Sequence, residues 1–211
     1  MGINIVIEEN NGENVEITNV LVGNDDNDLI EGERTNDVIS GGDGNDTLRG
    51  GLGSDTLTGG DGSDRLGGGR GRDTISGGGI GLFDDTDNFS ITADASGIDT
   101  LTGGQGGDRF ILGGNEADDS FTVGENSETD DNPRPVVYYN DAGNNDYALI
   151  TDFNSRQDII ELGGSKGDYR LGSSPDGLPD GTALYRGNEL IAIIQGSSEL
   201  NLSANYFQGS I

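Results

Sequence analysis

Asp28, Asp37, Asp46, Asp55, Asp64 and Asp73 recur every nine residues without a slip. Two positions after each stands an aliphatic residue: Ile30, Ile39, Leu48, Leu57, Leu66 and Ile75. The fullest copies read Gly41-Gly-Asp-Gly-Asn-Asp-Thr-Leu-Arg49, Gly50-Gly-Leu-Gly-Ser-Asp-Thr-Leu-Thr58 and Gly59-Gly-Asp-Gly-Ser-Asp-Arg-Leu-Gly67. A unit this short cannot bury an apolar face alone, so successive copies must stack and share one core.

Each position has a physical role. The glycines admit φ > 0 and close backbone approach, which makes a tight turn with its carbonyl oxygens on the outer side. After the aspartate, three residues alternate outward, inward, outward, as in a short strand whose middle residue faces the core. Two repeats, eighteen residues, then make one coil of turn, strand, opposite turn and returning strand. On that geometry Asp28, Asp46 and Asp64 line one edge, and Asp37, Asp55 and Asp73 the other. The expected fold is all-β, a parallel β-roll.

Such an edge suits calcium, a hard cation that takes 6–8 oxygen ligands from carboxylates, carbonyls and water. One turn offers a carboxylate and a few carbonyls, which is half a shell, and a stacked pair of turns completes it. Three aspartates per edge frame two gaps, so about four well-specified Ca2+ sites are expected. The carbonyl donors are the glycines of the same turns: Gly41, Gly42, Gly44, Gly50, Gly51, Gly53, Gly59, Gly60, Gly62, Gly68, Gly69, Gly71, Gly77 and Gly79. The pattern falters after Asp73, where Leu82 stands in the place of the next aspartate, and residues 77–96 read as an irregular insertion. Carbonyls of the Gly77 turn can still complete the half-site begun by Asp64. The register returns at Asp99, and again at Asp108 behind Gly103, Gly104 and Gly106, so these residues join the metal candidates. Phe110 in the inward slot suggests that the roll widens toward its end. The copies holding Asp28 and Asp37 keep few glycines, and sites that use Arg34 and Thr35 are weaker.

With 11 basic and 39 acidic residues the net charge is −28, and only 30% of the chain is hydrophobic. Without cations, carboxylates stacked along two edges repel, and so thin a core does not offset chain entropy. The acidity argues against nucleic acid, which needs clustered Lys and Arg; Lys166 is the only lysine. Absence of histidine removes the commonest zinc ligand and the usual general base. No Gly-x-Ser-x-Gly elbow or His-Glu-x-x-His helix is present, so no catalytic residue is assigned and the chain is read as not an enzyme. Absence of cysteine suits a secreted chain that needs no disulfide. No transmembrane segment and no cleaved signal peptide are visible.

Residues 1–22 hold two alternating apolar runs, expected as strands that cap the N-terminal end. Residues 23–123 form the roll. The acidic stretch 124–135, with two prolines, reads as a linker. From residue 136 short strands are expected at 136–139, 147–153, 158–162 and 169–171, with a hairpin joining 182–185 to 189–195 across Arg186-Gly187-Asn188. Tyr138 and Tyr139 read as ordinary strand residues, one inward and one outward. Residues 136–211 are expected to form a C-terminal β cap, as solenoids require.

The nonapeptide resembles the calcium-binding repeat of RTX (hemolysin-type) proteins. Asp146-Tyr-Ala-Leu-Ile-Thr-Asp-Phe-Asn154, Asp158-Ile-Ile-Glu-Leu162 and Glu189-Leu-Ile-Ala-Ile-Ile-Gln-Gly196 resemble the C-terminal segment of these proteins, particularly cyanobacterial stand-alone members. The resemblance implies export through type I secretion machinery, directed by an uncleaved C-terminal signal, and folding outside the cell. The expected function is an extracellular calcium-binding β-roll with a structural or binding role, at the cell surface or on acidic polysaccharide. The alternative is a non-catalytic calcium or polysaccharide-binding module of a larger secreted enzyme.

Overall fold

The computed structural model describes residues 3–10, 15–78, 97–115, 135–139, 145–196 and 199–209. Along the repeats the strands are short: β3 (Leu29–Glu31), β4 (Asp37–Asp43), β5 (Thr47–Leu52), β6 (Thr56–Asp61), β7 (Arg65–Gly71) and β8 (Thr74–Ser76). Glycine turns separate them, and consecutive strands fall into opposite sheets. From β3 to β6 each strand therefore pairs in parallel with the one eighteen residues on: Ile39 with Leu57, Leu57 with Ile75, Ile30 with Leu48, Leu48 with Leu66. This is the expected β-roll.

Before the repeats, β1 (Ile3–Asn10) and β2 (Val15–Val22) form an antiparallel hairpin. Parallel pairing of β2 with β4 then extends the first sheet, opposite Leu21 to Ile39. After them come β9 (Ile98–Gly106), β10 (Arg109–Ile111), β11 (Gly113–Asn115), β12 (Pro135–Val137), β13 (Tyr147–Ile150), β14 (Ile159–Leu162), β15 (Tyr169–Ser173), β16 (Thr182–Arg186), β17 (Glu189–Ile194) and β18 (Phe207–Gly209). The order of the first sheet is β1-β2-β4-β6-β8-β10-β14-β18, and of the second β15-β16-β17-β13-β9-β7-β5-β3. Both sheets thus run on from the repeats into the C-terminal third of the chain. Their pairing stays parallel through β18 and β17, and only β15 and β16 are antiparallel additions.

The stacking makes two inward ladders. One runs Leu21, Ile39, Leu57, Ile75, Phe110, Ile160, Phe207; the other Ile30, Leu48, Leu66, Leu101, Ile150, Ile194. From Ile39 and Leu48 onward every member is buried, and each fully buried aliphatic side chain contributes about 1.5–3 kcal/mol. Toward the C-terminal end rings take over, with Phe110, Phe153, Tyr206 and Phe207 in successive edge or tilted contacts 5.3–6.3 Å apart.

The β16–β17 hairpin closes through Gly187 and Asn188, with Gly187 at φ 60°. Lys166 donates from Nζ to the carbonyls of Ala204 and Phe207, pinning the start of β18. Of the linker expected at 124–135 only Pro135 is described, as the first residue of β12; its other residues, and residues 79–96 of the insertion, lie outside the described residues.

Candidate metal centre

Strands begin one residue past Asp28, Asp46, Asp55, Asp64, Asp73 and Asp108, at Asp37 itself, and one residue before Asp99, so each repeat aspartate stands at or next to the start of a strand. Stacking draws Asp28, Asp46, Asp64 and Asp99 into one line and Asp37, Asp55, Asp73, Asp108 and Asp158 into another. In the first, the backbone N–H groups of Asp28, Asp46 and Asp64 donate to Oδ1 of the next aspartate, each at 2.8 Å. In the second, Asp37, Asp55, Asp73 and Asp108 do the same at 2.9–3.0 Å.

Asp99 and Asp108 thus join the two edges at a separation of thirty-five residues rather than eighteen. Asp158 is a member that the sequence reading placed only at the head of a strand. Its signal was present, since Asp158-Ile-Ile160 repeats the aspartate-x-aliphatic pattern and Ile160 takes the inward slot opposite Phe110.

Two further features of the edges are not marked by the nonapeptide. Asn19 lies opposite Asp37 and starts the second edge, with its amide donating to Asp37 Oδ1 at 2.8 Å, where Thr35 Oγ1 also donates. Outside the aspartates, Asn27, Asn36 and Asn45 accept the backbone N–H of the residue eighteen positions on, at 2.8 Å.

The second carboxylate oxygen separates the middle of each edge from its ends. Oδ2 of Asp46, Asp55, Asp64 and Asp73 is buried without a hydrogen-bond partner. Around Asp46, Asp55 and Asp64 a glycine carbonyl, itself an acceptor, lies beside the carboxylate. A side chain on Gly41 would strike Asp46 Oδ2 and the Gly59 carbonyl; on Gly50, Asp55 Oδ2 and the Gly68 carbonyl; on Gly59, Asp64 Oδ2 and the Gly77 carbonyl. Gly68 and Gly103 press likewise on the carboxylates of Asp73 and Asp108. At Asp28 and Asp37 the Gly41 and Gly50 carbonyls lie beside the carboxylate in the same way, but at the ends a protein donor also reaches Oδ2. Asn24 N–H donates to Asp28 Oδ2, Glu33 N–H to Asp37 Oδ2 and Asn154 N–H to Asp158 Oδ2.

The remaining predicted glycines, Gly42, Gly44, Gly51, Gly53, Gly60, Gly62, Gly69, Gly71, Gly104 and Gly106, all have φ between 100° and 153°. At Gly62 and Gly71 the requirement is double, because a Cβ would also run into the carbonyl of Gly44 or Gly53 one coil below. Gly79 lies outside the described residues.

Burial is the main cause that lifts the carboxyls of Asp46, Asp55, Asp64, Asp73, Asp99, Asp108 and Asp158 above the ordinary carboxylate range. Asp64 is pushed up to about 8, and Asp73 and Asp99 to about 6. The N–H of Asp46 pulls Asp64 the other way, while Asp99, Asp46 and Asp61 add repulsion. A buried carboxylate in this setting requires either a proton or a cation.

Among the described residues no three acidic, histidine or cysteine side chains converge as a metal cluster. This agrees with the donor chemistry of the edges, where one carboxylate per turn is joined by main-chain carbonyls. Unpartnered carboxylate oxygens beside carbonyls make an all-oxygen donor set, which fits a hard cation such as calcium.

Comparison with protein families decides the nature of the repeat. Residues 22–57, 40–75 and 94–116 match the RTX calcium-binding nonapeptide repeat (4 copies). The chain carries RTX calcium-binding repeats. These RTX repeats form the parallel β-roll, and they imply Ca2+ binding. The gap between the matched stretches falls between Asp73 and Asp99, where the nine-residue spacing is broken. No curated protein matches the chain. No helix among the described residues is long and apolar enough to cross a membrane.

Tyr138 and Tyr139 differ from the strand residues expected of them. β12 ends at Val137, and both rings are buried. Tyr139 has φ 57°, a left-handed conformation that costs a non-glycine residue roughly 1–2 kcal/mol. Its hydroxyl donates to Asp99 Oδ2 at 2.7 Å. Burial, and then the Asp99 charge, hold the phenol well above its usual range.

Proposed function

We propose that the RTX roll is a calcium-responsive, non-catalytic structural or binding element that is exported and folds outside the cell. The observation that carries this reading is the row of unpartnered, buried Oδ2 atoms on Asp46, Asp55, Asp64 and Asp73. These atoms support about four ion positions in the middle turns. Asp46, Asp55, Asp64 and Asp73 would hold the ions, together with the carbonyls of the flanking glycine turns, Gly59, Gly68 and Gly77 among them. Calcium supplies the positive charge that lets these carboxylates be ionised and buried together. Asp28, Asp37, Asp99, Asp108 and Asp158 align the edges through the rungs.

Ion binding and folding then share one free energy. At low calcium the chain, with net charge −28, has no counter-charge along its edges and stays unfolded, a state that a type I channel can pass. Tyr206 and Phe207 pack into the roll, and β18 pairs with β14. The C-terminal segment is thus locked in the folded chain and accessible to a transporter only before calcium is met. Outside the cell, millimolar calcium fills the edges, and affinities of about 10⁻⁴–10⁻³ M, as in extracellular modules, would suffice.

Calcium titration by far-ultraviolet circular dichroism, with magnesium as control, tests the coupling. Strand signal should appear cooperatively with calcium alone. A chain that stays fully folded in excess chelator overturns this reading. Fusing residues 136–211 behind a cytosolic reporter, in a host carrying a type I transporter, tests export: a reporter retained with or without that segment rejects it.

A further inference from the structure

We propose that Tyr139 terminates the cation ladder of the first edge, its phenol O–H taking at Asp99 the place that an ion takes at Asp46 and Asp64. This rests on the calcium reading above. Five first glycines of the turns, Gly23, Gly32, Gly41, Gly50 and Gly59, share one environment: the Oδ2 of their own turn's aspartate and the carbonyl oxygen of a glycine one coil on. Neither atom can donate to the other, so both keep lone pairs for a cation.

Gly77 is the next such glycine on the first edge, and its neighbours are Asp99 Oδ2 and the Tyr139 hydroxyl. The hydroxyl stands where the carbonyl of the next coil would be, and unlike a carbonyl it can donate. It does so, at 2.7 Å, and Asp99 Oδ2 accordingly is satisfied where those of Asp46 and Asp64 are not. The backbone yields to this contact, since Tyr139 is the one non-glycine residue with positive φ among the described residues. Its ring is fully enclosed, so its hydroxyl has been brought to Asp99 and not left at a surface. The ladder needs such an end because Ala148, and not another aspartate, stands opposite Asp99 in the next strand.

Calcium counting on the full chain by native mass spectrometry at saturating calcium tests the assignment, with circular dichroism to show that each variant is folded. Asp64→Asn should lose one ion. Asp99→Asn should keep the wild-type number, because its amide still accepts the Asp64 N–H and can donate to the tyrosine oxygen. Tyr139→Phe keeps the ring, removes only the hydroxyl, and should bind no fewer ions than wild type. Loss of an ion in Asp99→Asn or in Tyr139→Phe overturns the terminator, because the carboxylate or the phenol was then a ligand. Retention of every ion in Asp64→Asn instead overturns the calcium reading itself. Should Asp99→Asn not fold, the Tyr139→Phe count decides alone.

Discussion

Acid should replace calcium. The seven buried carboxyls lifted by desolvation bind protons more tightly in the folded chain than in the unfolded one, where an aspartate titrates near 3.8. Between about pH 4 and pH 8 the folded state therefore holds protons that the unfolded state has released, and stability falls as pH rises. The contribution is complete below pH 3.8 and is lost as pH passes through about 6 for Asp73 and Asp99 and about 8 for Asp64. A shift of one unit is about 1.4 kcal/mol, so Asp64 alone accounts for about 6 kcal/mol, and Asp73 and Asp99 for about 3 kcal/mol each. These are of the order of a whole domain's stability, about 5–15 kcal/mol. A calcium-free sample, unfolded at pH 7.5, should gain strand signal by circular dichroism as pH is lowered to 5. Asp64→Asn, neutral at every pH, should flatten that dependence by several kcal/mol. At pH 6–7 calcium addition should release protons, which calorimetry in buffers of different ionisation enthalpy reads directly. A calcium-free chain equally unfolded at both pH values, or less structured in acid, would refute the reasoning.

Asp55→Ala should weaken the calcium response far more than Asp28→Ala, about tenfold or more in titration midpoint; Asp55 Oδ2 is buried and unpartnered, whereas Asp28 Oδ2 already accepts the Asn24 N–H, and equal effects would contradict the division between middle and end turns. Leu57→Ala should cost about 2–5 kcal/mol and Leu57→Asp should abolish folding even in saturating calcium, because Leu57 is wholly buried in the inward ladder; a cooperative melt of Leu57→Asp near the wild-type temperature would exclude this register. Gly62→Ala should fail to fold or need much more calcium, since its φ is 122° and a Cβ meets the Gly44 carbonyl, whereas Gly67→Ala, with open space around it, should leave the titration unchanged.

The sequence by itself determined the repeating part of this molecule. Nine-residue spacing of Asp28 through Asp73, with an aliphatic residue two positions on, makes every contact local in form: the same turn and the same strand return each eighteen residues, so register follows from counting. That was enough for a parallel β-roll, for the two aspartate edges and for calcium as the ion that RTX repeats imply. Counting fails where the period breaks. That Asp99 stacks on Asp64, and Asp108 on Asp73, is set by strand pairing across thirty-five residues instead of eighteen, which only the three-dimensional structure decides. Asp158 kept its aspartate-x-aliphatic signature but stood apart from any run of glycines. Asn19 and Tyr139 carried no signature at all. Their roles arise because stacked edges must end, and at an end the missing neighbour's hydrogen bond has to come from whatever distant side chain the fold brings within reach.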